Sequence, residues 1–416
     1  MQSTIDFINT PVVDIVNKII LDSVKAGVSD IHMDHTENCL KVRIRIDGIL
    51  NDYADIPNEV KNNIITRIKI LSGMNITETR LPQDGAIKTE LGGMDLDMRV
   101  SSLPTKRGEK IVIRILDYSR SMQGIEYLFF SEDNYKKILK MISAPNGIIL
   151  VTGATGSGKS TTVYSFLQKL NVKGTNLITV EDPVEMEIEG INQVQVNSDI
   201  GLDFATVLRS ILRQDPNVIM IGEIRDTETA QIAVRASITG HLVLSTLHTN
   251  NSLTTIERLI DMDVERYLLA SALSGIVSQK LARKLCDKCK KVRETTAYEK
   301  QMFKKFLGLE ISHVHEAVGC TECSGGYKGR IALQEVLLIS PNIRDAISAK
   351  ISKAELRDLV YSDDVITLLQ DGLYKTIAGL TTTEEVIKLV ESDDELNAET
   401  KIKHTIIKGN QQWLPF

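Results

Sequence analysis

Apolar positions recur along this chain with two different periods, and the change of period marks a change of domain. Val12, Ile15, Val16, Ile19 and Ile20 fall at helical spacing, with Gly27 placed to end the helix. Leu40, Val42, Ile44 and Ile46 then alternate with Lys41, Arg43, Arg45 and Asp47, the pattern of a half-buried strand, and Asp47-Gly48 suits a tight turn into the next. Val60, Ile64, Ile68 and Leu71 predict a second amphipathic helix closing near Gly73. Two alternating strands follow, Met94 to Val100 and Ile111 to Ile115. The order helix–strand–strand–helix–strand–strand predicts a small α+β domain over residues 1–116, and the aperiodic residues 117–131 a linker.

Further on, short continuous apolar runs at 148–151, 177–180, Val218–Ile221 and 242–244 are spaced by longer segments. Such runs predict buried parallel strands of an α/β core, expected over residues 132–283. Polar residues follow each run, and ligands of such sheets sit at the strands' carboxyl ends. Residues 284–330 hold four cysteines, and residues 331–395 are expected to be helical, most clearly at 343–359 and Thr383–Val390. Residues 396–416 form a polar tail with Trp413. No repeat array is present.

The length of 416 residues suits two or three domains, and 42% apolar with 25% charged residues is ordinary for a globular chain. Forty-nine basic against 55 acidic side chains leave a net charge of −6, without the general basic footprint of a nucleic-acid binder. No apolar run approaches the roughly 18 residues of a spanning helix. The first residues lack a basic region followed by an apolar stretch, so the expected location is cytoplasmic, with any membrane contact peripheral.

The sharpest chemical signal is Gly153-Ala-Thr-Gly-Ser-Gly158-Lys159-Ser160, which fits G-x-x-x-x-G-K-S/T directly after an expected strand. Gly153, Ala154, Thr155, Gly156, Ser157, Gly158, Lys159, Ser160 and Thr161 would wrap a nucleotide's phosphates with backbone N–H groups at a helix start. Lys159 would reach the β/γ oxygens, and Ser160 would offer a hydroxyl to Mg²⁺. Glu181 and Asp182 follow one apolar run and Glu223 another, positions from which a carboxylate can orient water. Strand-end carboxylates are more often solvated charges, but Glu223 is delivered directly by a buried run, with Gly222 where an Asp for Mg²⁺ is usual. His248 is a candidate γ-phosphate sensor, although a structural hydrogen-bonding histidine is the commoner reading. Arg209 and Arg213 share a helical face and suit either a solvated surface or a phosphate.

Cys286, Cys289, Cys320 and Cys323 form two C-x-x-C pairs 30 residues apart, while Cys39 stands alone. In a chain without an export signal such pairs point to metal or redox chemistry. Four thiolates can close a tetrahedron on Zn²⁺ with no open position, a structural role.

The runs Gly153-Ala-Thr-Gly-Ser-Gly-Lys-Ser-Thr-Thr, Ile178-Thr-Val-Glu-Asp-Pro-Val-Glu185, Leu212-Arg-Gln-Asp-Pro216, Ile221-Gly-Glu-Ile-Arg-Asp-Thr-Glu-Thr-Ala-Gln231 and Thr239-Gly-His-Leu-Val-Leu-Ser-Thr-Leu-His-Thr-Asn250 together resemble the type II/type IV secretion ATPase superfamily. Ser29-Asp-Ile-His32, Arg45-Ile-Asp-Gly48, Leu81-Pro-Gln-Asp-Gly85 and Arg99-Val-Ser-Ser-Leu-Pro-Thr105 resemble its smaller sensor-like domain, and the likeness spans about residues 10–395. The resemblance implies a RecA-like P-loop NTPase core, a smaller N-terminal PAS-like α+β domain, and a C-terminal zinc-binding and helical region. It implies that Glu181 and Asp182 form an acidic box, that Glu223 is the catalytic glutamate, and that His248 belongs to a histidine box. It puts nucleotide-handling arginines at Arg99, Arg114, Arg209 and Arg213. Ala86, Asn217 and Asn251 depart from its commoner Arg, Asp and Asp.

The expected activity is ATP hydrolysis by a homo-hexameric motor that closes its small domain over ATP and Mg²⁺ and works on an inner-membrane platform protein. The resemblance places the four thiols in the assembly and secretion branches, which makes retraction the less favoured direction; the expected role is type IV pilus assembly, with type II secretion or a competence pseudopilus as the alternative. A further N-terminal adaptor-binding domain is expected to be missing. A nucleic-acid-stimulated motor and a nucleotide-gated binding protein without turnover are the less favoured readings.

Overall fold

The computed structural model describes residues 5–116, 124–361 and 365–390. The chain divides into two compact units, Met1–Arg120 and Ser121–Phe416.

The first unit runs α1 (Val12–Lys25), β1 (Val28–His35), β2 (Cys39–Ile46), β3 (Ile49–Pro57), α2 (Asn58–Leu71), β4 (Gln83–Leu91), β5 (Met94–Thr105) and β6 (Gly108–Leu116). Its six strands form an antiparallel sheet in the order β3-β2-β1-β6-β5-β4. Ile15, Ile19, Ile64 and Ile68 of the helices pack with Ile31, Val42, Ile44, Met98 and Ile113 of the sheet. The expected turn is present, with Asp47 and Gly48 both at positive φ. Two strands go beyond the periodicity reading. β1 interleaves its core residues Ile31 and Met33 with Asp30, His32 and Asp34, and edge strand β4 buries only Ile87 among its large apolar side chains. Neither carries enough apolar residues to show as a strand by pattern alone.

In the second unit a 3-10 turn at Ile125–Leu128 leads to α3 (Glu132–Ile142). Of the expected linker, residues 117–123 lie outside the described residues, and Ile125 and Phe130 are core side chains of this unit. There follow β7 (Gly147–Thr152), α4 (Lys159–Leu170), β8 (Leu177–Glu181), β9 (Asn192–Gln195), α5 (Phe204–Ile211), β10 (Val218–Ile221), α6 (Thr227–Ile238), β11 (Leu242–Leu247), α7 (Ser252–Asp261), α8 (Arg266–Ala272) and β12 (Leu273–Leu285). The seven-stranded sheet has the order β15-β12-β7-β11-β10-β8-β9, parallel except for β15 (Tyr327–Leu338). All four expected strands are present, buried along their whole length because helices cover both faces.

Between the cysteine pairs lie β13 (Lys291–Glu294), α9 (Ala297–Leu307) and β14 (His313–Glu316). The expected helical segment at 331–395 begins instead as β15, paired with β12 from Gly275↔Leu338 to Leu285↔Tyr327. The single helix expected at 343–359 is two, α10 (Pro341–Ser348) and α11 (Lys353–Val360). Lys350 has φ 56, and Ser352 restarts the helix through a capping box with Glu355. Helices α12 (Leu368–Ile377) and α13 (Thr383–Val390) complete the described chain; the polar tail and Trp413 lie outside the described residues.

Candidate nucleotide site

The loop after β7 is shaped by close backbone approach. A Cβ on Gly153 would stand 2.4 Å from the Gln279 carbonyl oxygen and 2.5 Å from Ser157 Oγ, so no other residue fits. Gly156 (φ 79) and Gly158 (φ 88) turn the chain through conformations that side chains disfavour. The loop ends at Lys159, the first residue of α4, so the helix dipole and its orphan N–H groups face the cradle. Ser157 Oγ is buried without a partner among the described residues, a polar atom suited to a phosphate oxygen. Lys159 Nζ folds back onto the loop, donating to the Gly153 and Ala154 carbonyls at 2.9 and 3.2 Å. Burial lowers its pKa, and the nearby Glu223 charge works against that shift. Positive charge held under partial desolvation is drawn strongly to an anion.

Strand order brings the other groups alongside. β11 intervenes between β7 and β10, which separates those strands by about 9.6 Å and leaves room for phosphate and water. Glu223 follows β10, and His248 follows β11. His248 Nε2 stands 3.5 Å from Glu223 Oε2. The strand ends are tied by Ser245 Oγ donating to the Ile221 carbonyl at 2.8 Å and Thr246 Oγ1 to that of Gly222 at 2.7 Å. A Cβ on Gly222 would stand 3.3 Å from Glu181 Cα and from the Val180 carbonyl oxygen, a tight approach to the neighbouring strand.

Arg225 is the participant that sequence reasoning passed over. Its Nη2 donates to Glu223 Oε1 at 2.5 Å, and Nη1 lies 3.4 Å from Asp182 Oδ2. The Arg225 hydrogen bond holds the Glu223 carboxyl below its ordinary range against the opposing effect of burial, with Arg225, His248 and Lys159 adding to the lowering. The available signal was position: a cation two residues beyond the strand-end carboxylate.

Glu181 and the α5 arginines are placed otherwise than their expected roles suggest. Glu181 is 3% exposed and accepts from Tyr164 Oη and Thr179 Oγ1 at 2.5 Å each and from Gln193 Nε2 at 3.1 Å. A carboxylate so enclosed joins β8 to α4 rather than facing water. Arg209 pairs with Glu228, and Arg213 donates to the Arg209 carbonyl and to Ser210 Oγ at 2.8 and 3.1 Å. The following Gln214 and Asp215 carbonyls are bonded by Asn176, which precedes β8, at the end of the sheet opposite the loop.

In the first unit, Arg99 and Arg114 stand directly opposite each other on β5 and β6. Arg114 Nε donates to Asp30 Oδ1 at 3.0 Å.

The four expected thiols meet, every sulfur lying within 4.8 Å of the others. Cys286–Cys320, Cys289–Cys323 and Cys320–Cys323 sulfurs are 4.0, 3.7 and 3.6 Å apart. A zinc tetrahedron with 2.3 Å bonds has sulfurs about 3.8 Å apart, so the set fits that ion. Burial pushes the Cys289 thiol up to about 12. Burial pushes Cys323 up most strongly, but hydrogen bonds from the Cys320 N–H, 3.2 Å from its sulfur, from the Cys320 and Cys289 thiols and from the Gly326 backbone together outweigh it and bring it down to about 7.

The family model described as "Type II/IV secretion system protein" matches residues 8–388. Type II secretion system protein E of Pectobacterium carotovorum subsp. carotovorum is 43% identical over 386 residues, covering 92% of this chain and 77% of that protein. Type IV pilus assembly ATPase PilB of Pseudomonas aeruginosa is 43% identical over 388 residues, 92% of this chain and 68% of that one. Among solved structures, the pilus retraction motor PilT with bound ADP superposes with a TM-score of 0.62 at 26% identity, over 92% of this chain and 98% of that one. No described helix is long and apolar enough to cross a membrane.

Proposed function

The chain belongs to the type II/IV secretion system protein family and is an ATPase, and from that premise we propose that it is the hexameric motor of type IV pilus assembly. The observation that carries the catalytic reading is Glu223, presented with His248 across the strand gap from Lys159. The loop N–H groups and Lys159 bind the β and γ phosphates of ATP. Glu223 orients the attacking water, and His248 senses the γ-phosphate. Ser160 would hold Mg²⁺, which supplies charge neutralisation at the phosphates. Cys286, Cys289, Cys320 and Cys323 would hold Zn²⁺ as a structural ion. Arg99 and Arg114 join the bound phosphates when the small domain closes, so hydrolysis removes the charge that keeps it closed. Closure in turn around a ring would drive a membrane platform protein.

Glu223→Gln is expected to bind ATP with near-native affinity and to lose roughly a hundredfold or more in turnover. Turnover at the native rate would remove Glu223 from the reaction. Type II secretion is the second reading, because relatives at 43% identity bear both names. Deleting the gene and scoring surface filaments against exported protein separates the two: loss of filaments alone supports pilus assembly.

A further inference from the structure

Strand β12 is not part of the phosphate-loop motif, yet one of its side chains holds that loop. Gln279 is 1% exposed. A carboxamide so buried is costly unless both ends are bonded, and both bonds here go to nucleotide machinery. Its Nε2 donates to the Ser157 carbonyl at 2.8 Å, and its Oε1 accepts from Thr162 Oγ1 on α4 at 2.8 Å. Its own carbonyl is the surface that excludes a Cβ from Gly153, and its Nε2 would stand 3.1 Å from a Cβ on Gly158. One residue therefore meets the loop at its start, at Gly153, and at its end, at Ser157 and Gly158, and the helix beyond it.

The peptide plane gives this contact a consequence. In a trans peptide the carbonyl and the following N–H point in opposite directions. Drawing the Ser157 carbonyl toward β12 therefore turns the Gly158 N–H away from β12, into the cradle. The Thr162 bond sets the rotation of α4 about its axis, and with it the direction of Lys159, three residues earlier on the same face. We propose that Gln279 is a positioning residue for nucleotide binding, acting through the Ser157 carbonyl and the Thr162 hydroxyl to aim loop N–H groups at the phosphates. The inference rests on the nucleotide occupying this loop. If the unsubstituted protein fails to bind ADP, that reading fails first and separately.

Gln334 supplies the control. It is paired directly with Gln279 across β12 and β15 and is equally buried, but its bonds go elsewhere. Its Nε2 donates to the Leu128 carbonyl at 3.0 Å, and its backbone N–H donates to Asp371 at 2.8 Å. The experiment measures dissociation constants for ADP and inorganic tripolyphosphate, with the thermal midpoint of nucleotide-free protein, in full-length Gln279→Met, Thr162→Val and Gln334→Leu. Gln279→Met, nearly isosteric but without the amide, is expected to weaken both ligands about tenfold or more. Thr162→Val, which keeps the Ser157 bond, should lose about threefold or less. Gln334→Leu should lower the midpoint while folded protein binds ADP as before. Should Gln279→Met fail to fold, Gln279→Asn, with the amide on a stem one carbon shorter, carries the same test. Affinities within twofold of the unsubstituted protein in the Gln279 variant would overturn the proposal, as would an equal loss in Gln334→Leu.

Discussion

Glu223 and Arg225 show how much one residue's neighbours decide. Arg225 lowers the Glu223 pKa, so the carboxylate stays charged below the ordinary value of 4.5. A base works in its charged form, so the acid limb of the pH–rate profile assigned to this group should lie below that value. Arg225→Gln should move the limb upward, which residual turnover measured across pH would show. Lys159→Ala should weaken ADP binding about tenfold or more in a fluorescence titration, because the loop loses its one folded-back ammonium. Glu223 was legible because a buried run ends on it. Arg225 was not, since nothing in the spacing separates a carboxylate's partner from a surface charge. Glu181 read as an acid of the site, and only its surroundings show Tyr164, Thr179 and Gln193 closing around it.

At the scale of elements, α9 is fastened by one carboxylate. Glu299 closes the capping box with Thr296, receives two Arg293 hydrogen bonds at 2.7 and 2.8 Å, and accepts from Thr383 Oγ1 at 2.8 Å. Arg293 above all brings its pKa down from 4.5 to about 2. A group with a depressed folded pKa stabilises fully above its unfolded value and loses that contribution as pH falls through the folded one. Glu299→Gln should therefore cost on the order of 3 kcal/mol at pH 7. In urea unfolding the gap between the two proteins should narrow between about pH 4.5 and 2. Cys320→Ser should lose bound zinc in metal analysis and lower the thermal midpoint, because three thiolates leave the tetrahedron open. The short strands β7, β8 and β10 were legible as apolar runs between helices. The long β12 and β15 were not, because Lys280, Arg283, Lys284, Lys328 and Arg330 break their apolar pattern. The division between α10 and α11 was written in Ser352-Lys-Ala-Glu355, a capping box that a continuous helical period concealed.

For the whole molecule, the two compact units, each with core side chains of its own, should appear as two calorimetric transitions. ADP at a hundred times its dissociation constant adds about 2.7 kcal/mol to whatever it binds. If Arg99 and Arg114 hold phosphate, both transitions should rise, and Arg99→Ala with Arg114→Ala should leave only the Ser121–Phe416 unit responding. The sequence by itself determined the four short buried strands β7, β8, β10 and β11, the phosphate loop and the four thiols, because apolar runs, glycine spacing and paired cysteines are local properties of the chain. Tertiary structure alone decided what those pieces meet. It put β11 between β7 and β10, setting His248 beside Glu223, and laid Gln279 of β12 against the loop from 122 residues away. Such partners are chosen by strand order and register, which depend on how whole faces pack and leave no periodic trace in the chain.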